Sequence, residues 1–158
     1  MAPFVGGLRA RGFDATAIDL PRRKAEEALP ALHAAVPDDA DVVVGGQSFG
    51  GRVASLAAAE PDALYAALVL FCFPLHPPGS PERAAARIEH FPRIRCPVLL
   101  LSGESDPFAQ IGLLRDAVRQ LPDAELVTYP KLGHTLKPVL DDALDRVAAF
   151  LHGVPGSR

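Results

Sequence analysis

Hydrophobic and polar positions along the chain switch between two periods, one suited to helices and one to strands. Residues 2–11 (APFVGGLRAR) predict a short helix closed by Gly12, a residue type common just past helix ends. Phe13 to Leu20 (FDATAIDL) alternates apolar and polar side chains and predicts a strand that Pro21 stops. A helical pattern over 24–36 follows, kinked or split by Pro30. Asp41 to Gly46 (DVVVGG) is a β-branched run, the pattern of a strand buried on both faces. Ser48 to Glu60 predicts a helix rich in small residues, and Ala66 to Phe73 a second buried strand. A Pro- and Gly-rich loop, Pro74 to Pro81, leads to a helix near 82–91. Pro97–Ser102 and Glu125–Tyr129 read as strands, and Phe108–Leu121 and Pro138–Leu151 as helices.

Strands alternating with helices imply βαβ units. The expected fold is therefore α/β: one domain over residues 1–152, a mainly parallel sheet covered by helices on both faces, and right-handed crossovers. Residues 153–158 read as a flexible Gly/Pro/Ser tail. Composition narrows the class further. The 158 residues are 49% hydrophobic and 22% charged, which excludes a disordered chain. With 16 Lys+Arg against 19 Asp+Glu, the net charge of −3 offers no field for nucleic acid or an anionic membrane. The longest apolar stretch, Ala63 to Leu75, is broken by Pro74 and falls short of the ~20 residues of a membrane span. Cys72 and Cys96 lie in or beside apolar runs and form no CxxC, so they read as reduced thiols of a cytoplasmic protein. The N-terminus carries no basic-then-apolar secretory pattern.

Candidate chemistry begins at Gly46-Gln47-Ser48-Phe49-Gly50, a GxSxG pentapeptide between a predicted strand and a predicted helix. In that context the serine sits on a sharp turn that lifts its Oγ above the sheet edge. The flanking glycines remove Cβ atoms where helix and strand approach. The N–H of Phe49 then points where a developing oxyanion would form, with Gln47 and His76 as further substrate-binding candidates. The alternative is a plain tight turn. A serine needs a base, and the base an orienting acid. Asp106 follows the Pro97–Ser102 strand and His134 follows the Glu125–Tyr129 strand, so both rise at the same sheet edge as Ser48 and in the order Ser, Asp, His. Asp106 could instead cap the next helix, and His134 could be a surface turn residue. Glu104 competes for the acid role but lies closer to the strand end. His76, in the Pro-rich loop, either lines a substrate pocket or decorates a rigid loop.

Other features carry less. His33, His90 and His152 read as solvated, and no histidines have metal-ligand spacing, so neither metal nor cofactor is expected. Gly45-Gly46 and Gly50-Gly51 lack the Lys-Ser/Thr of a phosphate loop. Arg22-Arg23-Lys24 reads as a solvated turn, and Arg52 as either a surface or a buried structural cation.

The segment Val44 to Ser55 (VGGQSFGGRVAS) resembles the nucleophile elbow of bacterial α/β-hydrolases of the dienelactone-hydrolase-like group. More narrowly, it resembles the family shared with a subunit of the non-specific-lethal chromatin complex and a testis-expressed relative. Pro74–Gly79, Gly103–Phe108 and Gly133–Pro138 fit the same family, so the resemblance covers nearly the whole chain. It implies a three-layer α/β-hydrolase fold, with Ser48 as nucleophile, Asp106 as acid and His134 as base, acting on an ester or related small acyl substrate without a cofactor. Its alternative implication is a weak or inactive interaction domain that kept the fold.

One departure stands out. In that family a strand and an HGxG-type loop precede the first helix, and the loop supplies a second oxyanion donor. Here Met1-Ala2-Pro3-Phe4 reads as the start of that helix. The resemblance therefore implies an N-terminally incomplete domain, with a gap between the Phe13–Leu20 and Asp41–Gly46 strands. Closure of the gap, a strand from a partner such as a homo-oligomer, or an incomplete gene product would each account for it. Losing one oxyanion donor costs ~10²–10³ in rate.

Overall fold

Four short runs of β-branched and aliphatic residues form the sheet: Val43–Gln47 (β1), Ala67–Phe71 (β2), Val98–Gly103 (β3) and Ala124–Tyr129 (β4). They pair in the order β1-β2-β3-β4, every pair parallel. The computed structural model describes residues 1–155. All residues of β2 and β3 are buried, as expected for central parallel strands covered on both faces.

Alternation along these strands sorts the core into two layers. Leu68, Leu70, Val98 and Leu100 face one side, where they pack with α2 (Ala25–Ala35), α3 (Phe49–Ala58) and later α5 (Ile111–Val118). Val69, Phe71, Leu99 and Leu101 face the other, against α1 (Ala2–Ala10) and α6 (Leu140–His152). The result is the three-layer α/β arrangement expected. Each fully buried leucine in these layers stabilises the fold by about 1.5–3 kcal/mol relative to an exposed one. Pro30 lies inside α2 without ending it. Ala28 and Leu32, both buried, hold the helix against α3 on either side of the lost hydrogen bond.

Two expectations need correction. Phe13–Leu20 forms no strand. A strand exists only as part of a ladder, and no described strand lies beside this segment. Its apolar residues are used in packing instead: Phe13 meets the α1/α6 layer, whereas Ile18 and Leu20 meet the α2/α3 layer. The helix expected over 82–91 is a broken series, a turn of 3₁₀ helix at Pro81–Arg83, a short α4 (Ala84–Arg87) and a second 3₁₀ turn at Phe91–Arg93. Ala84, Ile88 and Phe91 keep the helical spacing of a buried face and enter the core, although the backbone between them is interrupted. Of the tail, Val154 packs on the α1/α6 layer, and residues 156–158 lie outside the described part. Among the described residues no helix is long and apolar enough to cross a membrane.

Candidate active site

The turn between β1 and α3 brings two backbones into contact. A Cβ on Gly46 would lie 2.5 Å from the carbonyl carbon of Gly50, and one on Gly51 would lie 2.7 Å from the Gly46 oxygen. Only glycine fits at such an approach. Ser48, between them, has φ 50° and ψ −115°, a left-handed conformation that L side chains rarely adopt. Its hydroxyl caps no helix N–H and is free for other work.

That hydroxyl lies 2.8 Å from Nε2 of His134, and Nδ1 of the same ring lies 2.7 Å from Oδ2 of Asp106. The Asp106 side chain is fully buried and its other oxygen accepts the Phe108 N–H at 2.8 Å. An ionised carboxylate only accepts, so Nδ1 carries the proton and Nε2 offers its lone pair to the serine O–H. Asp106 does not cap the following helix, whose N-cap is Gln110; one oxygen closes the local turn and the other holds the imidazole.

The two loops that deliver acid and imidazole are locked to each other. Glu104 N–H donates to the Tyr129 carbonyl at 2.9 Å, and Ser105 N–H to the Leu132 carbonyl at 2.8 Å. At Gly103, where β3 ends, a Cβ would collide with the Leu132 and Gly133 carbonyl oxygens. Glu104 turns away: its carboxylate accepts the Thr128 hydroxyl at 2.8 Å, so it makes no contact with His134. The Phe49 N–H belongs to the first turn of α3, where N–H groups have no acceptor within the helix and the helix dipole is positive.

Gln47 ends β1 next to Ser48 and is half-buried. His76 is not brought to the serine. It is buried, with Nδ1–H donating to the Pro77 carbonyl at 2.8 Å and Nε2 accepting the Gln110 N–H at 3.1 Å. Both ring nitrogens are therefore committed to backbone, and the ring ties the Pro-rich loop to the loop after Asp106. Phe108 was not singled out as a site residue from the sequence, yet its ring packs on His134 with centroids 4.5 Å apart. Its place two residues after Asp106 was the available signal.

The outlying residues sort simply. His90 is a correction, buried rather than solvated: its Nε2 lies 2.8 Å from the Ser55 Oγ, and burial pushes the imidazole down to about 4. His33 is half-exposed beside Glu60, and His152 lies against the Phe13 ring. Arg52 pairs with Glu26 at 2.8 Å and so ties α3 to α2. Both cysteines are free thiols, and burial raises Cys72 to about 12 and Cys96 to about 11, which disfavours their thiolate forms. Among the described residues no His, Cys, Asp or Glu group is placed to hold a metal ion.

A parallel sheet whose first strand turns through a left-handed serine into a helix is the architecture of the α/β-hydrolases. The chain belongs to the alpha/beta hydrolase domain family, whose sequence profile matches residues 20–151. A solved monoacylglycerol lipase of Paleococcus ferrophilus superposes with a TM-score of 0.79 at 13% identity, covering 93% of this chain and 86% of its own. An esterase of Pyrococcus furiosus gives 0.78 at 18% identity, covering 98% and 74%. A dienelactone hydrolase of Anabaena variabilis gives 0.57 at 26% identity, over 72% of this chain and 50% of that one. No curated protein matches the sequence significantly.

Proposed function

We propose that the protein is a serine hydrolase of carboxylic esters or related small acyl compounds. The observation that carries this reading is the unbroken chain of hydrogen bonds from Ser48 through His134 to Asp106. Ser48 Oγ attacks the acyl carbonyl as His134 Nε2 takes its proton, and buried Asp106 stabilises the imidazolium that forms. The Phe49 N–H donates to the oxyanion. His134 then protonates the leaving alcohol, activates a water against the acyl-serine, and returns a proton to Ser48 when the acid departs. No cofactor enters these steps. The lipase and esterase folds of the neighbours support the reading, as do the Val44–Ser55 and Pro74–Gly79 motifs for the narrower kinship with the chromatin-complex relatives. Two free thiols support a cytoplasmic location.

A fluorophosphonate probe should label the purified protein, with the adduct mapping to Ser48 by mass spectrometry. Ser48→Ala should lose both labelling and hydrolysis of a p-nitrophenyl ester. A folded wild type that neither reacts with the probe nor cleaves the ester overturns the proposal in favour of a non-catalytic domain.

A further inference from the structure

At the sheet edge that carries Ser48, one imidazole joins two loops. Cys72, the first residue after β2, has φ 48° and shares with Ser48 a left-handed backbone that a side chain disfavours. Such backbone persists only where its surroundings over-determine it, and it clusters at active sites. The segment that follows is pinned: Phe73 and Leu75 are fully buried in the α2/α3 layer, and His76 is 4% exposed. The His76 backbone N–H donates to the Phe108 carbonyl at 2.9 Å, and its Nε2 accepts the Gln110 N–H at 3.1 Å. The Nδ1–H bond to the Pro77 carbonyl, at 2.8 Å, fixes the tautomer that leaves Nε2 able to accept. Between these two anchor points lies the stretch on which acid and base rest. Phe108 gives its N–H to Asp106 Oδ1 at 2.8 Å and packs its ring on His134. The N–H of Ala109, itself fully buried, donates to the Asp106 carbonyl at 3.1 Å.

We propose that His76 is a positioning residue for the Ser48 reaction: it clamps residues 108–110 to the rigid end of β2 and so sets the direction in which Asp106 presents Oδ2 to His134. Both ring nitrogens are spent on backbone, so the side chain gives nothing to a substrate. It acts through Phe108. If residues 108–110 drift, the Phe108 N–H carries Oδ1 with it, the carboxylate rotates, and Oδ2 leaves the 2.7 Å bond to His134 Nδ1. A displacement of about 1 Å at such a contact costs up to ~10² in rate. The kinetic part of this inference rests on the hydrolase reading of Ser48, whereas the state of the Asp106–His134 bond is measured without turnover.

Two substitutions separate the bonds of the ring. A glutamine amide reaches the place of the Nε2 atom, and an asparagine amide that of Nδ1. His76→Gln therefore keeps the Gln110 link through its Oε1 and loses the Pro77 bond, whereas His76→Asn keeps the Pro77 bond and loses the Gln110 link. In p-nitrophenyl ester hydrolysis, His76→Asn should lower kcat by up to ~10² with KM little changed, because no substrate contact is removed. His76→Gln should bring kcat back to within about threefold of wild type, the worth of one modest hydrogen bond. In proton NMR spectra of the free protein, the low-field resonance of His134 Nδ1–H should persist in wild type and in His76→Gln and broaden away in His76→Asn. Equal kcat in the two variants, with thermal midpoints lowered alike, shows a merely structural ring and overturns the proposal. A low-field resonance equally sharp in both variants also overturns it. Full turnover in His76→Asn refutes the positioning role and leaves the hydrolase reading intact. A wild type without turnover in which the resonance pattern holds does the reverse.

Discussion

Asp106 has one oxygen on a backbone N–H and the other on an imidazole, so its carboxylate cannot rotate without breaking a bond to a buried group. Asp106→Asn keeps the shape but not the acceptor pair. With Oδ1 still receiving the Phe108 N–H, the amide nitrogen faces Nδ1 of His134 and forces the proton to Nε2. That tautomer cannot accept from Ser48, and p-nitrophenyl ester hydrolysis should fall by ~10⁴, with the thermal midpoint measured alongside to show the fold intact. Glu104→Gln should leave turnover within about threefold, because this carboxylate is spent on Thr128 rather than His134. The pair of variants measured in one assay decides which acid matters. The convergence of Ser48, Asp106 and His134 was legible because each follows its own predicted strand at one sheet edge. The Phe108–His134 contact and the Ser55–His90 bond join residues 26 and 35 apart, and no local period records such pairings.

At the scale of elements, the strand-to-helix turn depends on backbone contact rather than on side chains. Gly46→Ala puts a methyl 2.5 Å from backbone that cannot move without shifting α3 off the sheet. It should destabilise the protein by about 1–3 kcal/mol in urea unfolding, and it should lower probe labelling of Ser48 more than the stability loss explains. The buried strands were readable from their short apolar runs, because there local pattern and burial agree. Phe13–Leu20 carries an equally regular alternation but pairs with nothing, since a strand's partner is not written in the strand. The 82–91 region differs in another way: Ala84, Ile88 and Phe91 have the spacing of a buried helix face, and that pattern does not record the interruptions of the backbone between them.

For the whole molecule, His90 makes stability depend on pH. Ser55 donates its O–H to the Arg52 carbonyl at 2.8 Å, so His90 donates its Nε2–H to the serine oxygen. Burial, with smaller contributions from nearby Arg52 and Arg93 and against the pull of Glu26, lowers its value to about 4 from an ordinary 6.5. The folded state thus binds fewer protons than the unfolded state between those values, and stability rises with pH across the window. The contribution is complete above pH 6.5 and is lost as pH falls toward 4, amounting to ~2 kcal/mol by pH 5. Urea unfolding at pH 7 and pH 5 should show this loss in the wild type, and His90→Gln should flatten the slope.

The left-handed backbone at Ser48 has an evolutionary corollary. Glycine adopts that conformation without strain, so Ser48→Gly should raise stability by about 1 kcal/mol, or roughly 2–4 °C in Tm. Scanning calorimetry on the two proteins would show it. In a mutant library screened for heat resistance alone, position 48 should therefore drift to glycine. Retention of serine there, across generations of such drift, would be a record of selection for what its hydroxyl does.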